Sequence, residues 1–292
     1  MPILLDGKAV AYKLRQELAQ QIQAHAHKAR RAPHLAIILI GHDPASHTYV
    51  NNKVKACYEV GFQVTLIQES AIEEDILIPL IQGINKDEAI DGLIVQLPLP
   101  QHINAHQVIQ TIKPEKDVDG LHAFNYGKMA CNLPAHVPAT PLGILILLAH
   151  YQLTTQGKHC VIIGRGLTVG APLSILMRRN AYPGNATVTL CHSHTKNLCS
   201  LTRQADILIV AIGKPRLITA TMVQKGAIVI DVGITRVPDC NQKKGYKLQG
   251  DVDFEQVAPQ CSHITPVPGG VGPMTIVALL ANTLRAAKKQ VY

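Results

Sequence analysis

"VIIGRGLTVGAP", residues 161–172, decides the fold. An apolar run meets Gly164, Gly166 and Gly170 in a G-x-G-x-x-x-G spacing, and a helical pattern follows. Glycines allow a tight turn and close backbone approach, while the N–H groups opening a helix offer positive dipole to a pyrophosphate. The usual fingerprint is G-x-G-x-x-G, so context must strengthen the reading. It does: "HCVIIG" (159–164), "ATVTLCHS" (186–193), "DILIVAIG" (206–213) and "AIVIDVGI" (227–234) form a strand series, with "HITPVPGG" (263–270) closing it. Such alternation predicts a parallel sheet with right-handed crossovers.

A second alternating series precedes the glycine loop. Val10, Leu14, Leu18 and Ile22 at helical spacing predict a long amphipathic helix over 8–31. "HLAIILI" (34–40) reads as a buried strand, and "DPASHTYVNNKVKACYEVG" as a helix with Pro44 near its start and Gly61 as terminator. "FQVTLIQES" is a strand, "EEDILIPLIQGIN" a helix despite Pro79, and "DGLIVQLPLP" a third strand. The polar, turn-rich 111–129 ends this series, "TPLGILILLAHYQL" (140–153) is a helix long enough to bridge two lobes, and "MTIVALLANTLRAAKK" is a final helix able to dock on either. The expected fold class is α/β with two lobes joined by long helices, the second of Rossmann type.

The bulk numbers agree with such a chain. It has 292 residues, 47% of them apolar, enough for two packed lobes. No apolar run approaches the roughly eighteen residues of a membrane span, and Asp6 and Lys8 stand where a signal peptide needs apolar residues. The expectation is a cytoplasmic protein without membrane partners. Seven cysteines show no C-x-x-C pair, and "CHSHTKNLC" (191–199) reads as a strand running into a loop rather than a zinc site, so no metal is expected. Net charge is +8, but aromatics make up only 4% and the basic residues are dispersed. A small polyanionic ligand suits that pattern better than nucleic acid.

The second strand after the glycine loop bears on cofactor choice. An NAD site carries Asp or Glu at this strand's tip for the ribose 2′-hydroxyl. Here the tip reads Cys191, His192, Ser193, His194, Thr195, Lys196, with Arg165 in the loop itself. A 2′-phosphate is repelled by carboxylate and held by hydroxyl, imidazole or guanidinium, so NADP is favoured over NAD.

Tyr49 and Lys53 make a Tyr-x-x-x-Lys pair, the pattern of the short-chain dehydrogenase proton donor. On a helix any such pair shares a face. In short-chain dehydrogenases the glycine loop comes first; here the order is reversed, which puts the pair in the other lobe, facing the cofactor across a cleft. With "GHDPASHTYVNNKVKACYEVGF", "DGLIVQLPLP", "PEKDVDGLH", "PATPLGIL", "VIIGRGLTVGAP" and "ITPVPGGVGPMT" in that order, nearly the whole chain resembles the bifunctional methylenetetrahydrofolate dehydrogenase/methenyltetrahydrofolate cyclohydrolase family.

The resemblance implies NADP-linked oxidation of 5,10-methylenetetrahydrofolate and hydrolysis of the methenyl product to 10-formyltetrahydrofolate. It implies a folate-binding catalytic domain over 1–120, completed by a helix over 274–292, and an NADP-binding domain over 140–273. Tetrahydrofolate derivatives, polyglutamylated forms included, are the implied substrates, and a homodimer the implied assembly. Lys53 matches the family's catalytic lysine, and burial would lower its pKa. Gln96 matches the glutamine that holds that lysine; read alone, it is equally a capping amide. Tyr49 matches the tyrosine that packs on the folate rings. Asp119 matches the carboxylate that takes the pterin N–H donors, although the residues alone do not separate it from Asp117 or from a turn-forming role. Pro268, Gly269, Gly270 and Pro273 are candidates to line the folate site, and a structural turn there is the alternative. Cofactor contacts are implied at Gly164, Arg165, Gly166, Gly170, Ser193 and Ile234. The family's loop commonly reads G-R-S, and Gly166 replaces that serine, leaving Arg165 and Ser193 to carry NADP preference. A monofunctional dehydrogenase of the same lineage is the alternative.

Overall fold

The computed structural model describes residues 1–29, 31–242 and 245–291. The chain divides into two compact units: Tyr12–Ala139 with residues from Ile276 onward, and Met1–Ala11 with Thr140–Thr275.

The first unit is built on β2 (His34–Ile40), β3 (Gln63–Glu69) and β4 (Gly92–Val95), which follow β1 (Ile3–Leu4) and α1 (Gly7–Ala29) in the chain. Its sheet runs β3-β2-β4, all parallel, with His34 opposite Gln63 and Leu35 opposite Gly92. Every residue of β2 after His34 is buried, as expected of a parallel strand covered on both faces. Between β2 and β3 lies α2 (Pro44–Val60). The Asp43 carboxylate accepts the Ser46 N–H at 2.8 Å, Pro44 occupies the first turn where no N–H is needed, and Gly61 closes the helix at φ 88°. α3 (Glu74–Lys86) runs through Pro79, which lies exposed while Leu77, Ile81 and Ile84 bury the opposite face. α4 (Ala105–Thr111) and α5 (Ala123–Ala130) complete the series before α6 (Ala139–His150).

In the second unit, β5 (His159–Ile163), α7 (Gly170–Arg178), β6 (Thr187–Cys191), α8 (Leu198–Thr202), β7 (Ile207–Val210) and β8 (Ile228–Asp231) are followed by β9 (Thr235–Pro238), β10 (Tyr246–Gln249), α9 (Phe254–Val257), β11 (His263–Ile264) and α10 (Val271–Ala287). Among the described residues the sheet order is β1-β11-β8-β7-β5-β6, every pairing parallel. Val161, Leu208, Val210, Val229 and Ile264 pack one buried cluster on it.

Several elements differ from the sequence expectation. α1 ends at Ala29, so of the 8–31 helix Arg30 lies outside the described residues and Arg31 is beyond the element; Tyr292, the last residue of the expected 274–292 helix, also lies outside them. α5 sits within the stretch read as turns; Gly127 weakens its propensity, and burial of Asn125 and Met129 supplies what propensity lacks. The β9–β10 hairpin is antiparallel, in a region left without structure. The expected domain boundary shifts as well. Residues 1–11 stand with the second unit, because Ile3 and Leu4 pair with His263 and Ile264 at its sheet edge, and 121–139 stand with the first.

Candidate active site

In the first unit α2 points Lys53 inward. The residue is 7% exposed, and its Nζ donates to Gln96 Oε1 at 2.9 Å. Gln96 follows β4 directly, at the carboxyl end of the sheet, and its N–H donates to Ile38 O at 2.8 Å, continuing the β2–β4 ladder. Its amide orientation is fixed at the other end, where Nε2 donates to Leu97 O at 2.5 Å. The amide oxygen therefore faces the lysine. Burial lowers the Lys53 pKa, and the charges of Asp119 and Cys57 oppose that shift. Cys57, one turn along α2, is itself pushed up to about 12 by burial, so it stays a thiol. Tyr49 lies one turn before Lys53, half-buried, its phenol pKa raised by burial.

The carboxylates of "KDVDG" separate cleanly in the structure. Asp117 is 1% exposed, with Oδ1 accepting the Leu121 N–H and Oδ2 accepting the His122 N–H and Asn125 Nδ2. Burial outweighs these donors and pushes its pKa up to about 7. Asp117 organises the turn and has no face left for a ligand. Asp119 is half-buried, and its charge reaches Lys53. Its backbone oxygen accepts the Ala139 N–H at 3.3 Å, and the next residue, Gly120 at φ 72°, packs where a side chain would collide with the Val137–Pro138 backbone. Asn282 of α10, fully buried, donates to Val118 O and Val137 O, both at 2.9 Å. Sequence reading missed Asn282 as part of this loop, since a lone Asn in an apolar helix carries no signal.

The second unit holds the glycine loop. Gly164 has φ 111°, and a β-carbon there would collide with the Ala211 carbonyl, so only glycine brings the loop against the end of β7. Its N–H donates to Cys191 O at 2.9 Å. Arg165 and Gly166 are exposed, and α7 opens at Gly170. Cys191 ends β6 buried; His192 is half-buried and Ser193 exposed. The tip turns tightly, with the His192 N–H donating to Thr195 Oγ1 and the His194 N–H to His192 Nδ1. Ile234 is exposed directly after β8. A glycine cradle, a helix start beside it, a free guanidinium and a strand tip without carboxylate suit a dinucleotide bearing a 2′-phosphate.

The remaining candidates lie in the same unit. Pro268 is exposed, Gly270 N–H donates to Pro266 O at 2.8 Å, Gly269 O accepts the Lys8 N–H at 2.8 Å, and Pro273 sits in the first turn of α10. Lys53, Gln96 and Asp119 are thus brought together in the first unit, with Tyr49 on the same helix. The glycine loop, Ser193, Ile234 and the 268–273 residues belong to the second.

Comparison with known proteins follows the same division. Residues 5–119 match the catalytic-domain model of the tetrahydrofolate dehydrogenase/cyclohydrolase family, and residues 138–291 match its NAD(P)-binding-domain model. The bifunctional protein FolD of Amoebophilus asiaticus is 68% identical over 293 residues, spanning 100% of this chain and 98% of its own. Among solved structures, the bifunctional FolD of Campylobacter jejuni superposes with a TM-score of 0.92 at 44% identity, covering 99% of this chain and 100% of that one. The Trypanosoma brucei enzyme, solved with NADP cofactor and an inhibitor, gives 0.94 at 36% identity over 99% and 98%. Both family models together account for nearly the whole sequence, and on that ground the chain belongs to the tetrahydrofolate dehydrogenase/cyclohydrolase family.

Proposed function

We propose that Lys53 and Gln96 carry the hydrolytic step of this enzyme, that Tyr49 and Asp119 seat the folate, and that the glycine loop with Arg165, Ser193 and Ile234 seats the cofactor. The reactions are NADP-dependent oxidation of 5,10-methylenetetrahydrofolate and hydrolysis of the methenyl product to 10-formyltetrahydrofolate. Bifunctional relatives favour both activities over the dehydrogenase-only alternative.

NADP, when bound, supplies the hydride acceptor. Oxidation needs little proton chemistry, because the folate nitrogen lone pair drives hydride departure, so positioning dominates. Hydrolysis is different. Water adds to the methenyl carbon, its proton must leave, and a nitrogen must gain a proton as the ring opens. The observation that carries the assignment is Lys53 Nζ, buried and held 2.9 Å from a neutral amide oxygen. An amine with a lowered pKa accepts that proton and returns it, while Gln96 fixes its direction without adding a charge that would lock it as ammonium. Asp119 supplies two carboxylate oxygens suited to the pterin's paired N–H donors, and Tyr49 a flat face for the folate rings. Pro268, Gly269, Gly270 and Pro273 are assigned to the folate's surroundings, where small residues admit close backbone approach.

Gly164 and Gly170 admit the pyrophosphate, with Gly166 offering backbone in place of the family's serine. Arg165 and Ser193 are assigned to the 2′-phosphate. A net charge of +8 supports anionic, polyglutamylated folates as substrates, a homodimer is the proposed assembly, and the cytoplasm the proposed compartment. Among the described residues no helix is long and apolar enough to cross a membrane. The test follows reduced cofactor and methenyl product separately, starting from methylenetetrahydrofolate with NADP or NAD. Reduction of NADP followed by loss of the methenyl absorbance is expected; no reduction of either cofactor overturns the reading.

A further inference from the structure

The second unit contains a dry carboxylate pair that none of the assignments above uses. Asp251 is fully buried, and Asp231, the last residue of β8, is 4% exposed. Asp251 Oδ2 accepts the N–H groups of Ile212 at 2.7 Å and Gly213 at 3.0 Å, the turn that leaves β7. Asp231 Oδ1 accepts the N–H groups of Gly233 and Asp251, both at 3.0 Å, and its Oδ2 accepts Val252 N–H at 2.9 Å. Thr265 Oγ1 in turn accepts the Asp231 N–H at 2.7 Å. Asp251 Oδ1 is buried with no hydrogen-bond partner among the described residues. The pair is packed against glycines: a side chain at Gly233 would collide with the Asp251 carboxylate, and one at Gly250 with that of Asp231.

Neutral donors alone hold this charge, and burying an ion against them is a costly way to tie a turn. A capping hydroxyl or water would satisfy the same N–H groups. What the carboxylate adds is stiffness at one place. In a doubly wound sheet the ligand lies outside the carboxyl ends of the strands, across the point where strand order reverses. Here that point is β5, with β6 on one side and β7 then β8 on the other. The adenosine half therefore lies toward the β6 tip and the nicotinamide half toward the ends of β7 and β8, where Asp251 and Asp231 anchor the turns. Gly164, whose missing side chain lets the glycine loop touch Ala211, rests on the first of these turns.

We propose that Asp251 is a positioning residue for hydride transfer: its carboxylate fixes the Ile212–Gly213 turn and, through Asp231, the Val232–Ile234 turn against which the nicotinamide half of the cofactor lies. The proposal rests on the family reading of the reaction. It acts on oxidation alone, because hydrolysis of methenyltetrahydrofolate needs no cofactor and its assigned residues lie in the other unit.

The two activities of one sample give the readout. The ratio of methylenetetrahydrofolate oxidation with NADP to cofactor-free hydrolysis of methenyltetrahydrofolate is independent of the fraction folded. In Asp251→Ala the ratio should fall about tenfold to a hundredfold, the cost of a small misplacement of reacting groups. Asp251→Asn keeps one acceptor oxygen for Ile212 and Gly213 and should restore most of it. If the alanine variant is not recovered folded, Asp251→Glu, whose extra methylene displaces both turns, should lower the ratio similarly. An unchanged ratio in Asp251→Ala, or in Asp251→Glu where that variant stands in, overturns the proposal. A wild-type chain lacking oxidation or hydrolysis would instead overturn the family reading, so the two failures are distinct.

Discussion

The two units share one frame and diverge at one end of it. Each sets three parallel strands in the same order, β3-β2-β4 in the first and β6-β5-β7 in the second. The amino ends even repeat a device. His34 opens β2 with its N–H donating to Asp91, just before β4, and its Nε2 lies 2.8 Å from Thr65 Oγ1 on β3. His159 opens β5 with its N–H donating to Asp206, just before β7, and its Nε2 lies 2.9 Å from Thr189 Oγ1 on β6. A basic residue accompanies each aspartate: Arg31 on Asp91 at 2.6 Å and Lys158 near Asp206 at 4.0 Å.

The carboxyl ends differ in kind. In the second unit β5 runs into Gly164 and exposed backbone, a surface of N–H groups that binds charge without titrating. In the first, β2 runs into Gly41 and a helix that carries Tyr49 and Lys53 back over the strand ends to meet Gln96. One frame thus yields a backbone cradle when glycine follows the first strand closely, and a side-chain acid–base pair when a capped helix returns over it.

That contrast can be broken most severely at Lys53. Lys53→Met should lower methenyltetrahydrofolate hydrolysis by about 10²–10⁴-fold, the usual worth of positioned acid–base catalysis, while NADP reduction persists. Hydrolysis at the wild-type rate would dissolve the division. Gly164→Val should do the reverse: the added side chain meets the Ala211 carbonyl, so NADP-dependent oxidation should fall by at least about a hundredfold with hydrolysis kept, read by paired assays. Arg165→Ala removes one charge-assisted contact of about 1.5–3 kcal/mol, so the NADP-over-NAD preference in kcat/KM should drop roughly tenfold to a hundredfold.

Smaller effects sharpen the comparison. Gln96→Glu places a carboxylate against Lys53, which favours the ammonium and raises its pKa. The alkaline-rising limb of the hydrolysis pH profile should move upward, each unit lowering the rate at fixed pH by about tenfold. The two buried carboxyls that accept several N–H bonds, Asp117 and Asp231, are each raised from 3.8 to about 7 by burial. Their native forms bind more protons than the unfolded chain between those pH values, so their contribution to stability should fall as pH rises from about 4 to 7. Asp117→Asn should flatten its share of that slope in urea melts; a slope as steep as wild type would remove the burial account.

Much of the fold was legible because its strands are short apolar runs bounded by glycine and proline. β2 matches its sequence reading residue for residue, and Asp43, Pro44 and Gly61 mark the ends of α2. The glycine loop was legible for the same reason, each glycine standing where a backbone must turn. What escaped was held by contacts distant in sequence. α5 rests on a buried Asn125 tied to Asp117, β1 on two residues borrowed by β11, and the β9–β10 hairpin has no alternating pattern long enough to read. Among the site residues, Asp117 and Asp119 looked alike as letters, and only burial and partner count separate them. Asp231 and Asp251 read as ordinary turn aspartates, since nothing local announces that both are dry.

Asn282 sets the order in which a chain leaving the ribosome can finish its parts. The second unit has its last contiguous residue at Thr275, whereas the loop bearing Asp119 waits for an amide seven positions later to tie Val118 to Val137. During synthesis the cofactor side completes first, and the acid–base side, whose sheet emerged much earlier, gains its final clasp only when translation is nearly over.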